Sequence, residues 1–426
     1  MGILDEGYSE YRLENGLQVA MQSTPTKTIY GGLNVWCGAL NQKPGEDGLV
    51  HFLEHCIMMA GTNKYTPEQV GQIRPLFGAI GASSSQDNTV MPFGILSEDI
   101  EMALDFVSET MFYPRFDEKY VEQERQRVIR EIFDRRLGVH YGQVREYLRA
   151  VYGANSPYIV ETVGDAEVVA NAGIDDLKEI HERGFGAKNA RLLLVGDLPN
   201  DIDELIEHYF GNVKEGEYNK VKYPGIKKVV NPCRMHVDAP YFLNTTHPEE
   251  SSAGVEIAFI CPGREHESYY AVCLLDDVFG SDPNSKLFKV ISEEKGLAYQ
   301  ISSAYNSDAN RGIMSVTGLF PAKKYEEAIE GIFEVIDCVK TNLVDEKELN
   351  LIRRRADYAS VKALEGNEQR LEMIISYLER GVTLEERIEN LRAVTPEMVR
   401  EAAKICLPDK DDDTYALIIK DPLKAI

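Results

Sequence analysis

Residues 48–55, GLVHFLEH, contain two histidines and a glutamate within five consecutive positions. A helix turns by about 100° per residue, so His51 and His55 lie about 40° apart and Glu54 falls within the same arc of roughly 100°. Two imidazoles and a carboxylate on one face are the groups that a catalytic zinc ion needs, because the imidazoles bind the metal and the carboxylate takes a proton from water. The stretch therefore predicts a zinc-binding helix, with Asp47 as its N-cap.

The motif has the order H-x-x-E-H of the inverted zincins, but five residues are weak support by themselves. With 8 histidines in 426 residues, a chance match arises roughly once or twice per hundred such sequences. The alternative is an ordinary amphipathic helix whose histidines are hydrogen-bonded groups of the surface or core. A zinc site needs a third protein ligand, which must come from elsewhere in the chain.

Candidates for the third ligand occur in residues 117–136, DEKYVEQERQRVIREIFDRR, which predict a helix. Glu124 and Glu131 are seven residues apart, so they project within about 20° of each other. Both lie in the apolar stripe of that helix, which is formed by Val121, Val128 and Ile132. Carboxylates on a buried face usually have a cation to meet, which makes this pair a candidate for the metal site.

These residues resemble the zinc site of the pitrilysin and insulysin family, especially its mitochondrial processing peptidase-like branch. In this chain Glu131 lies 76 residues beyond His55, and Glu124 lies seven residues before Glu131. The resemblance extends through most of the chain and includes LENGLQVAM at 13–21, GLVHFLEH at 48–55, Gly61-Thr62, VIREI at 128–132, SKLF at 285–288 and GLAY at 296–299. Spacing and flanking residues together make the resemblance specific.

The resemblance implies an α+β fold of two homologous α/β-sandwich domains, each an antiparallel-rich sheet packed with helices, that form a clamshell around a peptide. We expect a zinc-bearing domain at 1–213, an interdomain linker at 214–235 and a related domain without metal at 236–426. The second half repeats the order of predicted strands and helices of the first, although the similarity between the two sequences is faint.

The resemblance also implies one Zn²⁺ per chain, with three protein ligands: His51, His55 and Glu131. Glu54 would be the catalytic base. Glu124 would orient a histidine ligand by accepting its other N–H, or would alternatively pair with a nearby arginine such as Arg127. The ligand set also tolerates Mn²⁺ or Co²⁺.

The expected peptide-binding element is a strand that follows the zinc helix. In relatives this strand lies at a sheet edge and pairs with the extended substrate backbone. The corresponding substrate-binding residues here are Gly81, Ala82, Ser83 and Ser84. Relatives often carry Asn-Ala-aromatic where this chain has Gly-Ala-Ser. We therefore expect this chain to share the main-chain register of the relatives, but not their side-chain contacts. Residues 78–82, GAIGA, predict a turn, residues 83–96 predict one strand, and Pro92 suits an edge position.

The GLAY segment carries the second catalytic residue that the resemblance implies. Tyr299 matches a tyrosine that reaches from the second domain toward the scissile carbonyl, where a phenol stabilises the developing oxyanion. The alternative is a strand tyrosine packed in a sheet. Seven residues earlier, Ser292 replaces the arginine of the family pattern R-E-x-x-G-L-A-Y. Serine cannot supply the charged guanidinium group, whose paired N–H donors bind a carbonyl or carboxylate. Lys289 or Lys295 substitutes for it, or a partner chain supplies the group.

The charge composition of the chain restricts the classes of molecule that it is expected to bind. The chain has 46 basic and 70 acidic residues, a formal charge of −24, which argues against nucleic acid or an anionic membrane as partner. The charge would attract basic or neutral peptides, or would simply keep the protein soluble. The chain start lacks the features of a signal peptide, and no C-x-x-C pair occurs among the seven cysteines. We expect a cytoplasmic protein with reduced cysteines.

The sequence therefore predicts a zinc metalloendopeptidase or oligopeptidase that hydrolyses short or unfolded peptides in a closed chamber, as a homodimer or a heterodimer with a related chain. One alternative is a structural or regulatory subunit with a degenerate, weak or inactive site. The other is the metal-bearing half of a heterodimeric protease whose partner brings the missing arginine.

Overall fold

The protein is described by a computed structural model at residues 7–137, 148–149, 151–153, 156–222, 233–238, 242, 244–247, 250–282, 284–412 and 414–422. The chain forms two compact units. Unit 1 comprises 1–141, 160–222 and 361–385, and unit 2 comprises 142–159, 223–360 and 386–426. The domain ranges expected from the sequence were contiguous, whereas these units are not.

Unit 1 is built on a mixed sheet with helices packed against it. Its strands are β1 Tyr8–Arg12, β2 Gln18–Ser23, β3 Thr28–Val35, β4 Ala79–Ile80, β5 Ser83–Ser84, β6 Thr89–Leu96 and β7 Ala190–Gly196. Its first seven helices are α1 Leu49–Met59, α2 Pro67–Ile73, α3 Ile100–Phe112, α4 Glu118–Leu137, α5 Ala166–Asn171, α6 Ile174–Gly184 and α7 Ile202–Phe210. The strand order is β1-β2-β7-β3-β6-β4, with β5 also paired to β6.

Unit 2 has a five-stranded sheet formed by β8 Cys233–Asp238, β9 Ser252–Cys261, β10 Gln300–Ser307, β11 Gly312–Pro321 and β12 Tyr415–Asp421. The helices of the second half are α8 Tyr269–Asp276, α9 Tyr325–Thr341, α10 Glu346–Lys362, α11 Asn367–Arg380, α12 Leu384–Ala393 and α13 Pro396–Cys406, with π-helical turns at Asp277–Ser281 and Phe288–Glu294. The strand order is β10-β11-β9-β12-β8.

The two sheets share one topology. In unit 1 β2 is parallel to β7, which is antiparallel to β3, and β3 is antiparallel to β6. In unit 2 β8 is parallel to β12, which is antiparallel to β9, and β9 is antiparallel to β11. This correspondence agrees with the repeated order of elements expected from the sequence and with the expected fold class.

Strand alternation separates the two faces of the unit 1 sheet. On one face Leu33 of β3 and Phe93 of β6 are fully buried in the same apolar core as Phe52 of α1. On the other face α11 packs Leu371 and Ile374 onto buried strand residues, which are Ala20, Leu193 and Val195. This packing explains why residues 361–385 belong to unit 1 although they come late in the chain.

The edge of the unit 1 sheet differs from the prediction. The expected strand at 83–96 is interrupted by a turn in which Ser85 N donates to Asn88 O at 2.7 Å, and residues 79–80 of the predicted turn form β4. Pro92 lies on β6, which pairs on both sides, so its predicted edge position was wrong. Pro92 is tolerated because the donor that it lacks would face the interruption between β4 and β5.

The predicted linker at 214–235 is only partly described. Its first part is held by unit 1, since Ala187 N donates to Lys214 O at 2.8 Å and Asn219 N donates to Asn189 Oδ1 at 2.7 Å. Residues 223–232 lie outside the described residues. The six cysteines whose side chains are described are free thiols, as expected. Among the helices that the structure describes, none combines the length and the apolar character needed to cross a membrane.

Candidate metal centre

Helix α1 carries the H-x-x-E-H residues, and its first turn is fixed by a side chain from the preceding loop. Gln42 Oε1 accepts hydrogen bonds from Gly48 N and Val50 N, each at 3.0 Å. Asp47 was expected to be the N-cap, but the N-cap is Gly48, which adopts a φ of 95° that favours glycine. The side chain of Gln42 thus satisfies amide donors that Asp47 was predicted to cap.

His51, Glu54 and His55 share one face of α1, as the periodicity predicted. One ligand atom from each of the three lies within 4.8 Å of the other two. The imidazole centroids of His51 and His55 are 4.8 Å apart, with an interplanar angle of 83°. His51 and Glu54 are buried, at 6% and 8% exposure, while His55 is half-buried. Three polar groups therefore converge at a largely buried position.

Glu131 of α4 supplies the fourth group. Its Oε2 atom lies 3.7 Å from His51 Nε2 and 3.5 Å from His55 Nε2. Ligands about 2.0–2.1 Å from a tetrahedral ion are separated by about 3.3 Å, so both distances from the Glu131 oxygen are close to the required spacing. The other oxygen, Oε1, accepts from Arg135 at 2.9 Å. Two imidazole nitrogens and one carboxylate oxygen fit a catalytic zinc site, so the donor set suits the metal.

Glu54 lies slightly farther from the two nitrogens than Glu131 does. Its Oε2 is 4.0 Å from His51 Nε2, and mutual closeness alone would make Glu54 the third ligand. A single oxygen of Glu131 approaches both Nε2 atoms, so Glu131 fits the position of a third ligand better than Glu54 does. Burial raises the pKa of Glu54 to about 7, with a further contribution from the Glu131 charge and an opposing one from His55. Such a carboxyl group can both accept and return a proton near neutral pH.

The two imidazoles have opposite pKa shifts. Burial lowers the pKa of His51 to about 4, and the charge of His55 adds to this effect, so His51 is held in the neutral form that binds metals. His51 Nδ1 is buried and, within the part of the chain that the structure describes, has no hydrogen-bond partner. Burial also lowers the pKa of His55, but the hydrogen bond to Glu124 and the charges of Glu54, Glu124 and Glu131 outweigh it and raise that pKa.

Glu124 joins both groups that the sequence suggested for it. Its Oε2 atom lies 3.2 Å from His55 Nδ1, while its Oε1 atom accepts from Arg127 Nη1 at 2.5 Å. The side chain is only 2% exposed, in agreement with its place in the apolar stripe. The imidazole contact and the ion pair, which the sequence presented as alternatives, therefore occur together. Arg135 was not predicted, although its i,i+4 spacing from Glu131 would have identified it.

Residues 81–84 lie at the edge of the sheet beside α1. β5 packs against α1, and Gly81 N donates to Pro92 O at 3.4 Å between the short strands β4 and β5. A Cβ atom added at Gly81 would meet no described residue within 4 Å, so the edge is open at this position. An open edge next to the convergent groups is a suitable place for an extended peptide to add a strand.

Tyr299 lies in unit 2, immediately before β10, and its side chain is 97% exposed. The predicted strand at 297–305 therefore begins later, at Gln300. The alternative interpretation of Tyr299 as a strand tyrosine packed in a sheet does not hold, because the ring has almost no protein around it. Its hydroxyl group is available to a ligand.

Ser292 lies in the π-helical turn Phe288–Glu294, and its hydroxyl donates to Ala298 O at 2.6 Å. The two lysines proposed as substitutes for the missing arginine have carboxylate neighbours. Lys295 Nζ is 2.8 Å from Glu334, and Lys289 Nζ is 3.9 Å from Glu348. Ser292 thus fixes the backbone of the GLAY segment and supplies no charge.

Each half of the chain matches a family model. Residues 18–138 match the model described as "Insulinase (Peptidase family M16)", and this range contains His51, Glu54, His55 and Glu131. Residues 171–356 match the model described as "Peptidase M16 inactive domain", and this range contains Tyr299 and Ser292. The convergent groups of unit 1 thus fall within the first match and the GLAY segment within the second.

Curated relatives and solved structures match nearly the whole chain. The uncharacterized zinc protease YmxG of Bacillus subtilis is 24% identical, covering 97% of this chain and 98% of the relative. The zinc protease PqqE of Helicobacter pylori is 24% identical over 82% of this chain and 78% of its own. A protease structure from Helicobacter pylori superposes with a TM-score of 0.81 at 20% identity, covering 97% and 99% of the two chains. A Pseudomonas fluorescens structure titled as a peptidase M16 inactive domain gives 0.82 at 19% identity, covering 97% and 98%.

Proposed function

This chain belongs to the M16 peptidase family, and from that premise we propose that it is a zinc-dependent endopeptidase or oligopeptidase that hydrolyses short or unfolded peptides. One observation carries the proposal. A single oxygen of Glu131 lies within 3.7 Å of His51 Nε2 and 3.5 Å of His55 Nε2, although Glu131 comes from a different helix. Carboxylate and imidazole side chains converge in this way when they share a cation.

In the proposed site zinc would be held by His51, His55 and Glu131. When bound, the ion would polarise the peptide carbonyl and lower the pKa of a water molecule toward 7. Glu54 accepts a proton from the attacking water as the water oxygen bonds to the carbonyl carbon. Glu54 then donates that proton to the amine nitrogen as the C–N bond breaks, so the proton is conserved. The raised pKa of Glu54 supports this double role.

Three further elements complete the proposal. Glu124 accepts a hydrogen bond from Nδ1 of His55 and so keeps Nε2 directed at the metal position. The 3.2 Å contact between Glu124 and His55 supports this role. Residues 81–84 bind the substrate backbone through main-chain hydrogen bonds. Tyr299 donates a hydrogen bond to the carbonyl oxygen of the peptide, where negative charge develops, and the exposure of its ring supports this role.

The proposal is tested by zinc analysis and peptide cleavage on the same preparation. We expect one zinc per chain and cleavage of members of a fluorogenic peptide library, with the cut bonds identified by mass spectrometry. Glu54→Gln is the matched control, since it keeps the shape of the side chain and removes the base. It should retain zinc and lose about 10²- to 10⁴-fold in kcat. Absence of stoichiometric zinc, or undiminished cleavage by Glu54→Gln, would refute the proposal.

The hydrogen bond of Ser292 favours a second candidate function, the metal-bearing half of a heterodimeric protease. Because Ser292 offers no charge and both nearby lysines have carboxylate neighbours, the group equivalent to the family arginine could come from another chain. In that case the purified chain would bind zinc but cleave poorly, and Ser292→Arg would raise kcat/KM. Robust cleavage by the unmodified chain alone would exclude this candidate.

A further inference from the structure

The face of the unit 1 sheet opposite the metal centre contains a second cavity of about 340 Å³. It lies between α11 and the central strands β3, β6 and β7. Residues that line it alternate with residues of the main core. Gly32 and Asn34 face the cavity, whereas Leu33 and Val35 are buried on the side of α1. The cavity is therefore separated from the metal centre by the thickness of the sheet.

Two buried polar side chains form one part of the cavity wall. Asn34 and Arg191 are direct cross-strand neighbours on β3 and β7, and they are only 9% and 8% exposed. The Nδ2 atom of Asn34 is buried and has no hydrogen-bond partner among the described residues. Arg191 Nε donates to Gln18 at 3.1 Å, and among the described residues its two terminal nitrogens have no hydrogen-bond acceptor and no carboxylate within 4.0 Å. A buried donor without a partner is costly, so Asn34 Nδ2 indicates that a ligand supplies an acceptor at this place, beside the terminal nitrogens of Arg191.

The rest of the wall is apolar, and the helix adds carboxylates. Pro92, Leu193, Leu371 and Ile375 are among the lining residues. Gly32 leaves room, since a Cβ atom added there would meet nothing nearer than 3.8 Å. Glu372 and Glu379 of α11 are exposed and also line the cavity. The cavity therefore offers hydrogen-bond donors on the sheet side, carboxylates on the helix side and an apolar wall.

We propose that this cavity binds a free α-amino acid with an aliphatic side chain such as that of leucine. The ligand carboxylate would accept hydrogen bonds from Arg191 and Asn34, which provides the missing acceptors. The ligand ammonium would face Glu372 and Glu379, and the side chain would pack against Leu193 and its apolar neighbours. A cavity of this size, mostly apolar with a few convergent polar groups, is typical of a small-molecule site. The proposal does not depend on peptidase activity.

Trp36 makes binding directly measurable, because it lines the cavity and is the single tryptophan of the chain. Titration of the full-length protein with L-leucine should change tryptophan fluorescence saturably, with a matching heat in calorimetry. N-acetyl-L-leucine lacks the ammonium group and 3-methylbutylamine lacks the carboxylate, and neither should give a saturable change. No saturable signal with L-leucine up to about 50 mM would overturn the proposal. Equal binding of N-acetyl-L-leucine would also overturn it, by assigning the site to the carboxyl terminus of a peptide.

Two variants locate the binding. Gly32→Leu fills the cavity from the sheet side and should abolish L-leucine binding. Gly71→Leu is the matched control, because a Cβ atom at this position of α2 meets no described residue within 4 Å and Gly71 does not line the cavity. It should bind L-leucine as the unmodified protein does. Arg191→Met should weaken binding at least about tenfold, as expected for loss of a charge-assisted hydrogen bond. Unchanged calorimetric affinity in folded Gly32→Leu would overturn the proposal.

Discussion

Units 1 and 2 share a sheet topology, but the buried polar groups on their corresponding helices differ in whether they have hydrogen-bond partners. In unit 1 the helix that follows β3 buries His51, whose Nδ1 atom has no partner. In unit 2 the helix that follows β9 buries Asp276, which accepts hydrogen bonds from the Ser303 hydroxyl and the Tyr305 amide. One buried polar group is incompletely satisfied within the protein, and the other is satisfied.

This difference separates a functional from a structural polar group. Burying a polar atom without a partner destabilises a fold, so such atoms persist mainly where a ligand or a reaction requires them. Asp276 is fully explained by the two hydrogen bonds that tie α8 to β10. On α1, the Nε2 atoms of His51 and His55 lie 3.7 and 3.5 Å from one oxygen of Glu131, and an ion bound between α1 and α4 would explain this convergence. The following predictions test this distinction, beginning with the largest expected effect.

Glu131→Gln should cause the largest loss of zinc affinity, because it removes a ligand oxygen that lies close to both imidazoles. We expect the dissociation constant for zinc to rise by more than the roughly 10- to 100-fold that loss of an outer carboxylate produces. Competition with a chelator of known affinity measures this constant. Glu122→Gln on the same helix is the matched control, since Glu122 is exposed and pairs with Arg125. Equal affinities of the two variants would remove Glu131 from the site.

Glu124→Gln should have a smaller effect on the same constant. The amide oxygen can still accept the Nδ1 proton of His55, but the charge that strengthens this hydrogen bond is lost, so we expect about 10- to 100-fold weaker zinc binding. Arg127→Met tests whether the ion pair alone matters, because Arg127 is largely exposed. It should change zinc affinity by no more than about twofold. A similar loss in both variants would show that Glu124 serves only the ion pair.

Acid should destabilise unit 1 through His181, which is 8% exposed and lies 2.9 Å from the carbonyl of Met111. Burial lowers its pKa to about 4, whereas the unfolded chain has a value near 6.5. The neutral form is favoured in the fold, so the stabilisation is complete above pH 6.5 and is lost as the pH falls toward 4. By pH 5 about 2 kcal/mol of the free energy of unfolding should be lost.

His181→Gln isolates this contribution, because glutamine can donate to Met111 O but does not titrate. Denaturant unfolding of both metal-free proteins, followed by fluorescence of Trp36 in unit 1, should show the smaller acid sensitivity in the variant. The histidines described in unit 2, which are His236, His247 and His266, are exposed, so unit 2 should lack this acid sensitivity. A free-energy difference between the two proteins that stays constant from pH 7 to pH 5 would contradict the assignment.

The convergent residues were predictable because the signals are local. Helical periodicity places His51 and His55 on one face, and the apolar stripe of the later helix places Glu124 and Glu131 together. Periodicity alone did not pair the two helices, and the resemblance supplied that step. The Gln42 cap was not predictable, because it reaches α1 from an irregular loop whose conformation has no sequence period.

Two features of the sheet face that packs against α11 were also not predictable from the sequence. The amphipathic pattern of α11 predicts that the helix buries one face, but it does not indicate that the partner is a sheet formed by the first half of the chain. The strand ARLLLV was predicted from its apolar run, which does not reveal that Arg191 faces a cavity beside Asn34. Both features depend on contacts between residues that are far apart in sequence.

The smallest expected effect belongs to Asp276→Asn in unit 2. The asparagine oxygen can accept from Tyr305 N, and the Ser303 hydroxyl can rotate to accept from the asparagine amide, so both hydrogen bonds can persist without the charge. We therefore expect a loss of only about 1 kcal/mol in the free energy of unfolding, measured with denaturant, and no change in zinc content. If Asp276→Asn instead abolished zinc binding or cleavage at unchanged stability, Asp276 would be a functional group. Hydrogen-bond satisfaction would then no longer distinguish the two corresponding helices.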